Sequence, residues 1–443
     1  MNMPTGISPW PSSAAFDEAG LSIGGTTAEA LAERFGTPLV VIDEEHLRAR
    51  CREFRPAFPH LMWAVKAFPL RAVIRLVLDE GLGLLAATGG EVDACLRAGA
   101  PADRIVLHGN NKSEREIDEA VEARLLLVIL DNGDEVARVG AAAERARVRQ
   151  PVLLRVAPGI DVDAHAYVKT AVPETKFGTP VAGGLALDAL RTATEHRSLD
   201  VRGIHLHLGS QLLDPRPYLT GIEASLDVLA EAREAFGFQA AVLDVGGGMG
   251  TRYVDEVPVP PADLARRMIE ALGDGCRRRG LAVPELIVEP GRAVTSGSAV
   301  TLYRVGTIKQ IPGRRTYVAV DGGMSDNIRP ALYGSRYTMA LASRASPARD
   351  RNVTVVGRHC ESGDELGRDV PLPEDLGRDD LLAVASTGAY EYAMASTYNK
   401  VGRPAVVMVG SEGPRLVARR EDYEDLARLD MDEPAGTVGA GAE

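Results

Sequence analysis

Between residues 38 and 292 short apolar runs alternate with longer stretches of helical spacing, and few architectures accept that rhythm. The strand-like runs are LMWAVKA (61–67), GLLAAT (83–88), IVLHG (105–109), LLLVIL (125–130), PVLLRV (151–156), GIHLHL (203–208), AVLDVGG (241–247) and LIVEP (286–290). Helix candidates such as LRAVIRLVLDE, EREIDEAVEA and PYLTGIEASLDVLAEAREAF stand between them. Near-continuous apolar strands in such alternation indicate a parallel sheet covered by helices. Eight units over roughly 250 residues match a (β/α)8 barrel, expected here over 38–293; an open doubly wound sheet is the competing architecture.

After residue 293 the texture changes. TLYRVGTIKQI, TYVAVDGG, LLAVAST, PAVVMVG and PRLVARR have period-two patterning separated by turn residues, which predicts a mostly antiparallel β domain over 294–430. Residues 1–37 are expected to join that domain, and the Gly/Ala/acidic tail from 431 to 443 to be disordered. The net charge of −12 and the absence of a basic run argue against a nucleic-acid partner. No apolar run is long enough to span a bilayer, and the start of the chain lacks the pattern of a signal peptide. Four scattered cysteines form neither a disulfide framework nor a zinc spacing. A cytoplasmic protein is the expectation.

Unusual polar residues gather where barrel enzymes collect their chemistry, at the C-terminal ends of the strands. Lys66 closes the first run, Thr88 the second, His108 and Gly109 the third and His207 the sixth; GGGMG (246–250) follows the seventh and Glu289-Pro-Gly-Arg292 the eighth. Lys66 is one of only six lysines, set in the apolar W-A-V-K-A-F. Burial there would yield a nucleophilic amine suited to a Schiff base; the plain alternative is a lysine reaching out to solvent. Gly246, Gly247 and Gly248, with Gly291, stand where this fold holds phosphate, and Arg292 could add a bidentate contact. His205 and His207 share one face of a strand. A metal is disfavoured because no carboxylate has supporting spacing. A flat ring stacked on a cofactor suits His207 better, with Ser210 and Gln211 following to bond a phosphate. Glu289 ends an apolar strand and needs a partner, either a protonated heterocyclic nitrogen or a neighbouring arginine. Lysine, glycines, histidine and glutamate at one barrel mouth together suggest pyridoxal 5'-phosphate.

The segments WAVKAFP, HGNNKS, HLHLGSQ, LDVGGGMG, EPGRAV, DGGMSDNIRPALYG, CESGD and GAYEYAMASTYN resemble, in order, the signature segments of the diaminopimelate decarboxylase family. These are fold-type III pyridoxal-phosphate decarboxylases with an alanine-racemase-like barrel, and the resemblance runs from about residue 36 to 420. It implies that Lys66 carries the cofactor, that His207 stacks on its ring, and that Ser210, Gly246–Gly248 and the turn at Gly291 hold its phosphate. Glu289 would pair with the ring nitrogen, and Tyr390 would approach the cofactor. It further implies a homodimer with shared sites, in which Cys360 protonates the carbanion and Glu361 receives the distal amine of a small amino-acid substrate. Arg292, Arg329 and Tyr333 would hold a distal carboxylate. The implied reaction converts meso-diaminopimelate to L-lysine and CO2, with loss at the D-configured carbon.

Arg329 and Tyr333 discriminate within the family, because ornithine decarboxylase has no R-P-x-x-Y at that place and its substrate ends in an amine alone. Other positions depart from the family pattern. Trp63 and Phe68 replace a tyrosine and an asparagine, Leu85 and Thr88 stand where aspartate and serine are usual, and Arg358-His359 precedes CESGD. Arg358 and His359 could recognise extra negative charge. A divergent paralogue of secondary metabolism, acting on another amino acid or a carrier-bound one, is therefore the alternative. A racemase of this fold would carry arginine where Glu289 stands, and a non-catalytic relative would have lost Lys66 or Cys360.

Overall fold

The computed structural model describes residues 8–160, 175–346 and 351–431. The tail expected to be disordered lies outside them apart from Met431, as do residues 1–7. Eight parallel strands close on themselves: His60–Ala64, Gly83–Ala86, Ile105–Leu107, Leu127–Leu130, Gln150–Ala157, Leu199–His205, Val242–Asp244 and Glu285–Val288, the last pairing again with the first. They are the eight runs expected from the sequence, so the closed barrel holds and the open sheet does not.

The barrel closes because each strand is apolar on both faces. Met62, Ala64, Leu85, Val106, Leu127, Ile129, Leu153, Val242 and Ile287 fill the lumen. Trp63, Leu84, Leu107, Val128, Leu154 and Ile204 belong to the larger core shared with the surrounding helices. Local signals start those helices where the strands end. Thr88, for example, accepts a hydrogen bond from the Glu91 amide and caps Gly89–Arg97, while Ser113 and Glu116 form a reciprocal capping box for Glu114–Glu122.

A second sheet is organised by the long strand Ala299–Ile311. Its first half pairs with Leu39–Asp43 and Leu381–Ala385, and its second half with Arg315–Val320. Pairing is antiparallel except between Leu39–Asp43 and Ala405–Gly410 and between Arg315–Val320 and Arg351–Val356. The parallel barrel sheet itself begins at His60. Residues 15–27 form a small three-stranded sheet that packs Leu21 and Ile23 into the core holding Leu39, Val41, Val300 and Leu302. Among the described residues no helix is long and apolar enough to cross a membrane.

One buried ion pair ties the loop after the third strand to the barrel wall. Lys112 Nζ lies 2.5 Å from Glu135 Oε2 and 2.7 Å from the Gly109 carbonyl, and the same Glu135 oxygen accepts from the Asp131 amide at 2.9 Å. Removing one partner of such a pair strands the other charge. Glu135→Ala should therefore cost about 3–5 kcal/mol, read from the midpoint of urea unfolding; a loss below about 1 kcal/mol would show that water reaches Lys112.

Candidate active site

Parallel register sets the floor of the barrel mouth. His205 is the register partner of Arg155 on one side and of Asp244 on the other, so three polar side chains from adjacent strands form one row. Glu289 follows directly on the eighth strand. All four are buried. His205 Nε2 is 3.3 Å from Glu289 Oε1, and Arg155 Nη1 lies 3.4 Å from Asp131 Oδ1 and 3.1 Å from His108 Nε2. Burial pushes the Glu289 carboxyl up to about 7, against the pull of the Lys66 and Arg155 charges. Burial also raises Asp244 well above the usual carboxylate range and lowers His205 to about 4. Among the described residues, Glu289 Oε1, Asp244 Oδ2 and both His205 ring nitrogens have no hydrogen bond of good geometry, although the Glu289 and Asp244 carboxyls act on each other, and a ligand donor would relieve this concentration of buried polar atoms.

The spacing argument against a metal rested on missing carboxylates. The fold supplies two, since His205, Asp244 and Glu289 offer ligand atoms within 4.8 Å of one another. Asp244 and Arg155 went unremarked in the sequence, although Asp244 carries the same signal as Glu289, a charge closing an apolar strand. The pairing of His205 with His207 also changes. The strand ends at His205, and His207 lies beyond it, with its Nδ1 accepting from the Gly247 amide at 3.1 Å.

The glycine run is required by packing. A Cβ on Gly246 would sit 2.7 Å from His207 Nδ1, and one on Gly247 would sit 2.1 Å from the Glu289 carbonyl. Tyr218 donates to the Gly247 carbonyl at 2.9 Å and holds the loop from below. Gly291 brings the start of Arg292–Thr295 against the first strand, where an added Cβ would meet those of Ala64 and Ala67 at 3.1 and 3.2 Å.

Lys66 departs from expectation. The first strand stops at Ala64 and passes into a single 3-10 turn, Val65–Ala67, which leaves Lys66 exposed between two buried neighbours rather than buried in the strand. Thr88 likewise lies beyond its strand, as a helix cap. Phe68 is buried and stacks on Tyr392 with ring centroids 5.7 Å apart, and Leu85 fills the barrel lumen.

A second cluster brings residues of the sheet domain to Arg292. Arg292 donates to Ser210 Oγ at 2.8 Å and to the Tyr253 hydroxyl, and its guanidinium carbon lies 4.9 Å from the Tyr390 ring centre. Arg329 approaches the same Tyr390 ring at 5.8 Å and the Tyr333 ring at 5.3 Å. Both arginines are buried. Cys360 and Glu361 lie apart on an exposed loop, where the Cys360 amide donates to Asn399 Oδ1 at 3.0 Å. Arg358 is exposed, but His359 is not the anion contact expected of it. It is buried, with Nε2 2.9 Å from Ser325 Oγ and its amide bonded to Asp364.

Residues 44–296 match the family described as pyridoxal-dependent decarboxylase, pyridoxal binding domain. The chain belongs to the pyridoxal-dependent decarboxylases. Among relatives of this decarboxylase, the diaminopimelate decarboxylase of Bacillus subtilis is 41% identical, covering 93% of this chain and 95% of that protein. That of Actinosynnema pretiosum is 45% identical, covering 95% of each. The fold is similar to a crystal structure of diaminopimelate decarboxylase from M. jannaschii in co-complex with L-lysine, with a TM-score of 0.89 at 30% identity over 96% of this chain and 98% of that one.

In the decarboxylase stripped of cofactor, folding raises Glu289 from its ordinary 4.5 to about 7, so the native state keeps a proton that the unfolded chain releases. Stability contributed at this site therefore falls as pH rises through that window. Glu289→Gln cannot ionise and should gain urea stability over the stripped wild type at about pH 8 but not at about pH 5; an equal difference at both would contradict a buried, protonatable Glu289.

Proposed function

We propose that this pyridoxal-dependent decarboxylase removes CO2 from meso-diaminopimelate and leaves L-lysine. The observation that carries the substrate assignment is the pair of buried arginines, Arg292 and Arg329, gathered around one Tyr390 ring. Two buried guanidiniums are costly without an anion, and a carboxylate distal to the reacting carbon would compensate them. A substrate ending only in an amine would leave two buried guanidiniums with only Glu391, 3.9 Å from Arg329, to balance them, a ground for rejection. The relatives named diaminopimelate decarboxylase and the M. jannaschii complex with L-lysine support the same substrate.

The residues at the barrel mouth fit pyridoxal 5'-phosphate. Glu289 offers an unsatisfied buried oxygen for the ring nitrogen, and Gly246–Gly248 and Gly291 provide a close-packed, side-chain-free approach for the phosphate beside Ser210. Lys66 Nζ would hold the aldehyde carbon, and His207 would lie against the cofactor ring. Bound there, the cofactor supplies an electron sink for the pair left behind when the carboxylate departs. Glu289 would keep negative charge at the ring nitrogen, with Asp244 and His205 buried beside it. Tyr390 would approach the cofactor, and Arg292, Arg329 and Tyr333 would orient the distal carboxylate. Cys360 Sγ delivers the proton to the carbon that has lost CO2, and Glu361 receives the distal ammonium. Both act across a homodimer, a reading supported by their exposure on one loop of the sheet domain.

The alternative of another amino acid or a carrier-bound one loses one of its supports, since His359 is buried, and retains Arg358 and the departures at Phe68, Leu85 and Thr88. Releasing CO2 from diaminopimelate in preference to lysine, ornithine and carrier-linked glutamate is the expected result of a competition panel; no release at full cofactor occupancy would overturn the assignment. Mixing Lys66→Ala with Cys360→Ala protein should restore part of the activity, because a hybrid dimer holds one intact site. No rescue with subunit exchange confirmed would refute the shared site.

A further inference from the structure

Arg329 is held by a buried relay that the reaction itself does not use. Its Nε donates to the Tyr337 hydroxyl at 2.8 Å, and that hydroxyl in turn donates to Glu391 Oε1. Arg329 Nη2 donates to Ser335 Oγ at 3.3 Å, and among the described residues Nη1 has no hydrogen-bond partner. Glu391 is 1% exposed and immediately follows Tyr390, whose ring both arginines approach. Adjacent residues thus act on the same guanidinium, one through its ring and the other through its carboxylate.

The relay has a chemical logic. A carboxylate paired directly with Arg329 would compete with a substrate carboxylate for the same donors. Here Tyr337 stands between them, and Glu391 Oε1 remains 3.9 Å from Arg329 Nε. The glutamate therefore fixes the plane of the guanidinium and offsets part of its charge, while the outer edge remains available. Fixing that plane in advance reduces the conformational entropy lost when an anion binds. The groups acting electrostatically on Glu391 are Arg329 and Arg292, with the Tyr337 hydroxyl bonded to it; burial raises its carboxyl to about 7, and these groups pull the other way.

We propose that Glu391, acting through Tyr337, is a positioning residue that pre-sets Arg329 for the carboxylate of the substrate and so helps select carboxylate-bearing substrates. This rests on the reading of Arg329 as the distal-carboxylate contact. The test uses cofactor-loaded enzyme and compares wild type with Glu391→Ala, Glu391→Gln and Tyr337→Phe.

Glu391→Ala and Tyr337→Phe should raise KM for diaminopimelate about tenfold or more with kcat within about threefold, because binding common to ground and transition states is lost. Glu391→Gln keeps an oxygen acceptor for Tyr337 and should stay near the wild-type KM. In parallel titrations followed by the cofactor's visible absorption, Glu391→Ala should weaken binding of L-lysine and leave that of 1,5-diaminopentane, which has no carboxylate, unchanged. If wild type turns over diaminopimelate but Glu391→Ala keeps its KM, or weakens both ligands alike, the positioning role is overturned and the function stands. If wild type neither releases CO2 from diaminopimelate nor binds lysine, the substrate reading fails and this proposal falls with it.

Discussion

The site depends on charges placed in the dry mouth of a closed barrel. Arg155, His205, Asp244 and Glu289 come from four neighbouring strands, and register puts the first three in one row. Desolvation is the largest influence on each: it drives the carboxyls toward their neutral forms, His205 toward neutrality, and Arg155 below its ordinary value. Such a row stores free energy that a partner for Glu289 can recover. The apolar lumen beneath, from Met62 to Ile287, keeps water from supplying that partner.

The second constraint is the meeting of two domains at Arg292. This residue follows the eighth barrel strand, whereas Tyr390 follows the sheet strand Leu381–Ala385 and Arg329 begins a short helix, Arg329–Tyr333. Arg292 reaches back to Ser210 in the barrel and across to Tyr253, which packs edge-on against Tyr337 with ring centroids 5.1 Å apart. The barrel contributes Ser210, Tyr253 and Arg292 to this cluster, and the sheet domain Arg329, Tyr337 and Tyr390.

Three of the departures from the family pattern have local partners, whereas the buried indole nitrogen of Trp63 has no hydrogen-bond partner among the described residues and Arg358 is exposed. Phe68 stacks on Tyr392, Leu85 joins the lumen and Thr88 caps a helix, so each has a structural partner of its own kind. His359 shows the opposite lesson. In the sequence it stands beside Glu361 as a candidate cation, yet the turn between Val356 and Asp364 directs it inward to Ser325.

The barrel was legible in the sequence because eight apolar runs at regular spacing bury both faces in a parallel sheet covered by helices, and their number and spacing match a closed barrel better than an open sheet. Lys66, His207, the glycines and Glu289 were legible for a related reason: polar residues interrupting apolar strands at one end stand out against their surroundings. The strands Ala299–Ile311 and Ala405–Gly410 were legible as well, although Ala405–Gly410 is buried almost throughout and pairs in parallel with Leu39–Asp43, while Leu39–Asp43, Arg351–Val356 and Glu365–Leu372 were not marked. Leu39–Asp43 is buried throughout and reads like a barrel strand; only its pairing with Ala299–Ile311 and Ala405–Gly410 assigns it to the second sheet. Local sequence determined which segments are strands and where polar residues end them. Only the tertiary structure decided that Arg155, His205, Asp244 and Glu289 share a floor, that Lys66 stands exposed beyond its strand, and that hydrogen bonds join Arg329, Tyr337 and Glu391. Those outcomes depend on register and on contacts between residues far apart in the chain, which no local pattern encodes.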